Sequence, residues 1–426
     1  MSARRPRAIV VVTGSELVRG ERRDRNGPFL AGEALRHGLE PARITIVGDA
    51  PAELEAALRE GLEADACLVS GGLGPTHDDR TVELLARAVG VELVVDESLA
   101  EQIESVSRAV AERLRRPYAD FAPGVTKQAR RPASAVSIGL AGTAPGLVLR
   151  ASTGCVVVVL PGPPGELRRL WPKALASDPM QELLARARPP GRRVLRLFGV
   201  SESAVARALE EAGGDGEGVE ATICARDFEI HVDLVVEPGA EERGEVLDEA
   251  LAARLEQWLF ARDERRVEEL VLSLAAARGL RLATAESCTG GMVAARLTDV
   301  AGSSASFVGG VVAYADEVKR DELDVSEELL EEHGAVSAEV AAAMAEGARR
   351  HLGADVAVAV TGIAGPGGGT PDKPVGRVHL HASGPEGSLA RILDLPGGRE
   401  QVRVRATVTA LHLVRALLLG SRDEAV

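Results

Sequence analysis

The residues with the most capacity for chemistry lie in Ala283–Gly291, which reads A-T-A-E-S-C-T-G-G. Glu286, Ser287, Cys288 and Thr289 share one small-residue turn. An apolar run through Leu280 and Leu282 leads in, and Gly290-Gly291 open a stretch of helix formers, Met292–Leu297. A strand, a hydroxyl-rich turn, a glycine pair and a helix is how α/β proteins present a nucleophile or bind an anion at a helix start. Ser287 is the candidate nucleophile. Cys288 is its rival, because thiols are intrinsically the better nucleophiles. The plain alternative for Ser287 is a helix N-cap.

A hydroxyl nucleophile needs a base. His333 falls in a helix-to-turn stretch, and His379 and His381 alternate along one strand face, as structural or exposed residues would. Lys319 is the better candidate, since a partly buried lysine can accept a hydroxyl proton. Its ordinary fate, among Asp316, Glu317 and Arg320, would be solvation at the surface. Thr361–Gly369 follows the apolar run Asp355–Val360. Glu286–Gly291, Tyr314–Lys319 and Thr361–Gly369 are therefore polar loops at the ends of apolar strands, and hydrolysis is the chemistry such loops could do.

A second set lies near the start. Ala8–Val12 runs into Thr13–Glu16, Arg43–Val47 into Gly48-Asp49, and Cys67–Ser70 into G-G-L-G-P-T-H-D-D-R-T at Gly71–Thr81. The glycines let backbone amides approach a ligand closely. Asp78 and Asp79, with Asp49 on a neighbouring strand end, form a candidate divalent-metal or polar-ligand cluster. Either aspartate alone could be a helix cap, and His77 reads as a loop residue.

These loops need strands and helices to hold them. Strands at Ala8–Val12, Arg43–Val47 and Cys67–Ser70 alternate with helical patterns, giving βαβαβα and a doubly wound sheet. Val94–Leu114 is helical in pattern. Thr126–Pro132 and Gly142–Gly146 read as loops before strands Leu147–Arg150 and Cys155–Leu160. Arg192–Phe198, Glu220–Cys224 and Glu229–Val236 read as strands, and Val200–Leu209 and Ala240–Phe260 as helices; Val246, Leu247, Leu251, Leu255 and Leu259 recur at helical spacing in the latter. Further on, Val267–Ala277 and Ala338–His351 are helical with Ser337 as N-cap, Phe307–Tyr314 and Val375–Ala382 are strands, and Ala406–Leu419 is a final helix. The fold class is α/β: two doubly wound domains, 1–170 and 263–426, joined by a small α+β module, 171–262.

Composition narrows the function. A chain of 426 residues predicts two or three domains, and 45% apolar with 27% charged residues is ordinary for a globular protein. A net charge of -14 argues against direct nucleic-acid binding. It leaves small anions open, because backbone amides bind phosphate against the overall field. Cys67, Cys155, Cys224 and Cys288 are scattered and suggest neither a disulfide framework nor a zinc site. Ala8–Val12 is too short for a signal-peptide core, and no apolar run approaches the ~20 residues of a membrane span. A cytoplasmic protein away from membranes is expected.

The motifs together resemble the CinA family (competence/damage-inducible protein A). Residues 8–170 resemble its molybdopterin-binding domain through T-G-S-E-L-V-R-G, D-R-N, S-G-G-L-G-P-T-H-D-D-R-T, G-T-A-P-G and L-P-G-P-P-G-E. The resemblance implies a nucleotide or pterin ligand and, in some members, a metal-dependent ADP-ribose pyrophosphatase. Glu16, Asn26, Asp49, Gly71, Gly72, Gly74, Thr76, Asp78 and Asp79 would form that site, with Asp78 and Asp79 on a divalent metal ion. Two positions depart from the family: Ser15 stands for its usual Asp or Thr, and Gly139 for an Asn. A purely binding or structural N-terminal domain is the alternative. The module at 171–262 corresponds to a KH-type fold. It lacks a G-x-x-G clamp with basic flanks, so a spacer or dimer contact is expected rather than an RNA binder.

Residues 267–419 resemble the family's nicotinamide-nucleotide amidase domain through A-E-S-C-T-G-G, G-G-V-V-A-Y-A-D-E-V-K, G-A-V-S, V-T-G-I-A-G-P-G-G-G, K-P-V-G and G-G-R-E-Q-V-R. The implied reaction converts nicotinamide mononucleotide (NMN) to nicotinate mononucleotide and ammonia, without a metal or other cofactor. Ser287 would be the nucleophile and Lys319 its base. Glu286, Thr289, Gly290, Gly291, Tyr314, Thr361, Gly362 and Arg399 would bind substrate, the glycine amides and Thr289 as oxyanion hole or phosphate contacts and Arg399 as the phosphate cation. Gly398 replaces the family's Asp before that arginine. The family also implies a homodimer. The alternative function is a non-catalytic nucleotide sensor or scaffold linked to competence or DNA damage.

Overall fold

A computed structural model describes residues 5–420. The expected domain spans reach residues 1–4 and 421–426, which lie outside the described residues. The chain forms two compact units, Met1–Pro190 and Gly191–Val426.

The first unit holds β1 (Arg7–Thr13), β2 (Glu40–Val47), β3 (Ala66–Ser70), β4 (Leu93–Val95), β5 (Arg130–Pro132), β6 (Val136–Leu140), β7 (Pro145–Arg150) and β8 (Val156–Leu160). Its main sheet has the order β2-β1-β3-β8-β7-β6, in which β7 alone runs antiparallel to both its neighbours. β3 and β8 are wholly buried because helices cover both faces, which is why their sequences are unbroken apolar runs. Helices Pro51–Gly61 and Thr81–Val89 supply Leu54, Leu58, Leu84 and Leu85 to one layer. Helices Asn26–Arg36, Pro164–Leu175 and Asp178–Leu184 supply Leu30, Leu167, Leu170, Trp171 and Met180 to the other. Helix Pro164–Leu175 runs through the boundary expected at 170/171, and Leu170 and Trp171 share one core.

Several local expectations give way to tertiary pairing. Thr126–Pro132 is the end of a helix, Ala122–Gln128, followed by β5, which pairs with β4. Residues 94 and 95, expected to open a helix, belong to β4, and the helix starts at Glu97 behind the Asp96 cap. β6 was not expected: Gly139, at φ 94, sits where its register against β7 shifts.

The second unit opens with β9 (Gly191–Phe198), β10 (Val219–Arg226), β11 (Glu229–Val236) and β12 (Leu259–Ala261), an antiparallel sheet ordered β10-β11-β9-β12. The helix expected over Ala240–Phe260 is Glu241–Arg254; Leu259–Ala261 pairs with β9 instead, and Val246 is exposed. The second sheet holds β13 (Leu282–Glu286), β14 (Phe307–Val312), β15 (Val356–Gly362), β16 (Arg377–Gly384) and β17 (Gly387–Asp394), in the order β14-β13-β15-β16-β17. β14, β13 and β15 are parallel; β16 and the unanticipated hairpin strand β17 are antiparallel. The last helix runs from Arg399 to Leu418, seven residues earlier than its apolar pattern suggested. Gln401 explains the early start: its side-chain oxygen accepts the Gly398 N–H, one of the unpaired donors of the helix start.

The small module is not a free spacer. Phe198 and Phe260 share a core with Val267, Leu411 and Val414. Fully buried His412 of the last helix stacks on Phe198 at 3.8 Å between ring centres and donates from Nε2 to Glu229 at 2.8 Å. His231 contacts the same carboxylate at 3.3 Å. Burial acts against ionisation of Glu229, but the hydrogen bonds from His231 and His412 outweigh it and hold its pKa down to about 2. Burial pushes the His412 pKa down, so the ring is neutral. Among the described residues no helix is long and apolar enough to cross a membrane.

The sign of the resulting pH dependence is fixed. A histidine whose pKa is lowered by folding takes up a proton more readily when unfolded, so stability falls as pH drops through the free-histidine value near ~6.5. Glu229 adds a second loss only as pH falls from about 4.3 toward its folded value. The melting temperature of the second unit is expected to decline between pH 7 and pH 5. His412→Gln, which keeps a donor for Glu229 without a titrating ring, should flatten that decline in thermal scans.

Candidate active site

In each parallel core, the first strand has neighbours on both sides reached by crossovers in opposite directions, and that reversal opens a crevice at the carboxyl ends of the strands. In the second unit the crevice lies between β13 and β15. The chain leaves β13 at Glu286, and the Ser287 amide immediately donates to the Val360 carbonyl of β15 at 2.8 Å. The turn is thereby held at the mouth of the switch point, beside Thr361.

Glu286 fixes the rest of the turn. Its side chain is 1% exposed, and its carboxylate accepts the N–H groups of Gly291 at 3.0 Å, Val293 at 3.0 Å and Ala294 at 2.8 Å. These are the unpaired donors that open helix Met292–Thr298, and a carboxylate is the group that best satisfies them. Gly290 (φ 61) and Gly291 (φ 93) adopt left-handed backbone that lets the chain fold back over this carboxylate.

This geometry corrects part of the expected substrate set. The Gly291 amide is bound to Glu286 and the Gly290 amide to the Ser287 carbonyl at 3.1 Å, so neither is a free oxyanion donor. Glu286 itself caps the helix with both carboxylate oxygens. Thr289 is fully buried, and among the described residues its hydroxyl has no hydrogen-bond partner. Ser287 is 9% exposed, and its side chain does not cap the helix. Cys288 packs with Val293 and Leu297, and burial pushes its thiol up to about 11. Burial in that layer and a raised pKa both weigh against its thiolate.

The other loops converge on the same mouth. Lys319 is almost wholly buried, one helical turn from Asp316. Its ammonium donates to Asp316 at 3.0 Å and to the Tyr314 carbonyl at 3.3 Å; among the described residues it makes no hydrogen bond to Ser287. Tyr314 is 60% exposed, and its hydroxyl accepts from Arg399 at 3.0 Å. Arg399 also donates to the Gly365 carbonyl at 2.9 Å, so the arginine is oriented without the missing aspartate at Gly398. Thr361 donates its hydroxyl to Ala335 at 2.6 Å, joining the V-T-G and G-A-V-S segments. Gly362 has no room for a side chain, since a Cβ there would lie 2.7 Å from the Arg377 carbonyl.

One residue escaped the sequence reading. Arg403, a helical turn after Arg399, donates to the carbonyls of Cys288 at 3.1 Å and Thr289 at 2.9 Å. The signal was the R-x-x-x-R spacing of G-G-R-E-Q-V-R, which becomes one helix face only when the helix starts at Arg399.

In the first unit the switch point lies between β1 and β3, and a cleft of about 870 Å³ opens there. It is lined by Glu16, Asn26, Asp49, Gly71, Gly72, Gly74, Asp78 and Asp79, and also by Glu166, whose carboxyl is pushed up by burial. Asn26 donates to Ser70 at 2.9 Å and to the Gly162 carbonyl at 2.7 Å. Ser15, the departure from the family, donates its hydroxyl to Asp49 at 2.5 Å and its amide at 3.2 Å. Asp79 accepts the Thr76 amide at 3.0 Å and the Thr76 hydroxyl, and a hydrogen bond from Thr76 holds the Asp78 carboxyl below its ordinary range. Among the described residues no three His, Cys, Asp or Glu side chains are gathered to hold a metal ion. Asp79 is thus drawn onto Thr76, and the side chains present do not fit a resident metal.

The cap at Glu286 yields a direct test. Glu286→Gln puts an amide NH2 against backbone N–H donors and removes a charge-assisted acceptor, which should cost roughly 3 kcal/mol in denaturant unfolding.

Comparison with known proteins agrees with this architecture. The family model for the CinA C-terminal domain matches residues 264–418, and that for a probable molybdopterin binding domain matches residues 9–180. A CinA-like protein of Mycolicibacterium vanbaalenii is 44% identical over 421 residues, covering 97% of this chain and 99% of its own. One from Mycobacterium tuberculosis is 44% identical over 426 residues, covering 97% and 98%. A crystal structure of competence/damage inducible protein CihA from Agrobacterium tumefaciens is 44% identical, covers 37% of this chain and 99% of its own, and has a TM-score of 0.35. On the full-length identity and the paired domain matches, the chain belongs to the CinA family.

Proposed function

We propose that the second unit is an amidohydrolase that converts NMN to nicotinate mononucleotide and ammonia. The observation that carries the reading is the Ser287 turn, held at the β13–β15 crevice by the Glu286 cap, with Lys319, Tyr314 and Arg399 on adjoining loops. Ser287 Oγ attacks the amide carbon, and Lys319, once its ammonium has lost a proton to solvent and become the neutral amine, takes the hydroxyl proton. The carbon–nitrogen bond breaks, the proton passes to departing ammonia, and water hydrolyses the ester to free Ser287. Arg399 at the exposed rim suits the substrate phosphate. Tyr314, linked to Arg399, suits the pyridine or ribose beside it.

The N-terminal cleft is read as a nucleotide- or pterin-binding site, built on the glycine loop Gly71–Gly74 and the Asp49 anchor. A metal-dependent ADP-ribose pyrophosphatase would need the metal to arrive with the substrate's phosphates, because the side chains alone form no cage. The protein is expected to work in the cytoplasm as a homodimer.

Incubation of the protein with NMN should release ammonia. Ser287→Ala should lower the rate by roughly 10³-fold or more, and Lys319→Ala by roughly 10²–10⁴-fold. Cys288→Ala should keep most of it. Full activity in Ser287→Ala would overturn the assignment, and no ammonia from wild type would favour a nucleotide sensor. For the N-terminal unit, AMP release from ADP-ribose with added divalent metal, lost in Asp78→Asn, would support cleavage; tight nucleotide binding without cleavage would favour a binding domain.

A further inference from the structure

Arg403 belongs to the last helix, more than a hundred residues from the turn it touches. Its guanidinium donates through Nε to the Cys288 carbonyl at 3.1 Å and through Nη2 to the Thr289 carbonyl at 2.9 Å. Those are the carbonyls of the two residues immediately after Ser287. The approach is close: a Cβ on Gly290 would lie 3.4 Å from Nη2. The fork shape of the group allows two neighbouring carbonyls to be held at once, which a lysine's single ammonium cannot do in the same geometry.

Three anchors then define the turn. The Ser287 amide is tied to β15, the Glu286 carboxylate to the helix beyond, and the carbonyls between them to Arg403. The first two do not touch the Cys288–Thr289 peptide plane, and the Gly290 amide ties the Thr289–Gly290 plane to the Ser287 carbonyl; Arg403 holds both planes through their carbonyls. Arg399, one helical turn earlier on the same helix, reaches the Tyr314 hydroxyl. The first turns of this helix therefore bind the nucleophile's turn through Arg403 and the rim of the crevice through Arg399.

We infer that Arg403 is a positioning residue that orients Ser287 through the Cys288 and Thr289 peptide groups, and couples that orientation to occupancy at Arg399. This rests on the amidase reading for its kinetic part and on geometry alone for its conformational part. Through the shared helix, a phosphate held by Arg399 braces the nucleophile's turn. Binding energy from the phosphate is thus expressed in turnover rather than in affinity alone.

The test uses the full-length chain with Cys224→Ser, which removes the one exposed thiol. Arg403→Gln should lower kcat for NMN roughly 10–100-fold, as expected for a displaced reacting group, with KM changed less than about twofold. Arg403→Lys should recover only part of the loss. Wild type should turn over NMN with a higher kcat than nicotinamide riboside, which lacks the phosphate, and Arg403→Gln should narrow that ratio. Separately, Cys288, buried in wild type, should react with a maleimide at least about tenfold faster in Arg403→Gln, because its peptide is released. Unchanged kcat and unchanged Cys288 labelling would overturn the proposal, as would a loss confined to KM. Faster labelling in a protein whose wild type does not act on NMN would uphold the positioning role and refute the amidase.

Discussion

The second unit depends on one carboxylate. Glu286 ends a buried strand, and its charge would be untenable there without partners. The partners are supplied by the start of the next helix, whose N–H groups are themselves unsatisfied. Each need meets the other, and the geometry that satisfies both forces Ser287, between them, into the crevice at the strand ends. The glycine pair follows from the same constraint, because only a left-handed path returns the chain over the carboxylate. The A-E-S-C-T-G-G segment is thus a single electrostatic device. Its cysteine is packed into the apolar layer by the same turn that turns the serine out.

The two units solve the problem of site construction alike. Both place polar loops where a parallel sheet reverses its winding, and both fix those loops with local acceptors. In the first unit the acceptors are Asp49, which takes the Ser15 hydroxyl and amide, and Asp79, which takes Thr76. The carboxylates there shape the loops before they meet a ligand. This is why adjacent acidic residues, read as a metal site, turn out to be tied to neighbouring hydroxyls and amides.

The parallel strands and the loops at their ends were legible because a strand buried on both faces must be apolar throughout and must stop where the sequence turns polar. Ala8–Val12, Cys67–Ser70 and Asp355–Val360 carry that pattern plainly. Four antiparallel strands were not: β4, β5, β6 and β17 are short or half-exposed, and their conformation comes from the strand they pair with rather than from their own pattern. The same holds for Leu259–Ala261, whose helical spacing lost to pairing with β9. Motifs located Ser287, Lys319 and Arg399. They could not reveal that the Gly290 and Gly291 amides are spent, since a backbone donor's partner leaves no mark in its own residue type. Arg403 was hidden for a related reason: its role exists only once the helix is known to begin at Arg399.

The last helix carries Arg399 and Arg403 at one end and His412 further along, so it closes the crevice and docks the small module at once. Among the described residues it also follows every strand of the sheet in chain order. Every strand of the sheet can be made before either arginine exists, so the nascent chain holds an assembled but unbraced serine turn. Competence of the crevice thereby depends on residues made after the whole sheet: a product stopped short of residue 399 retains the motif and lacks the parts that lock it.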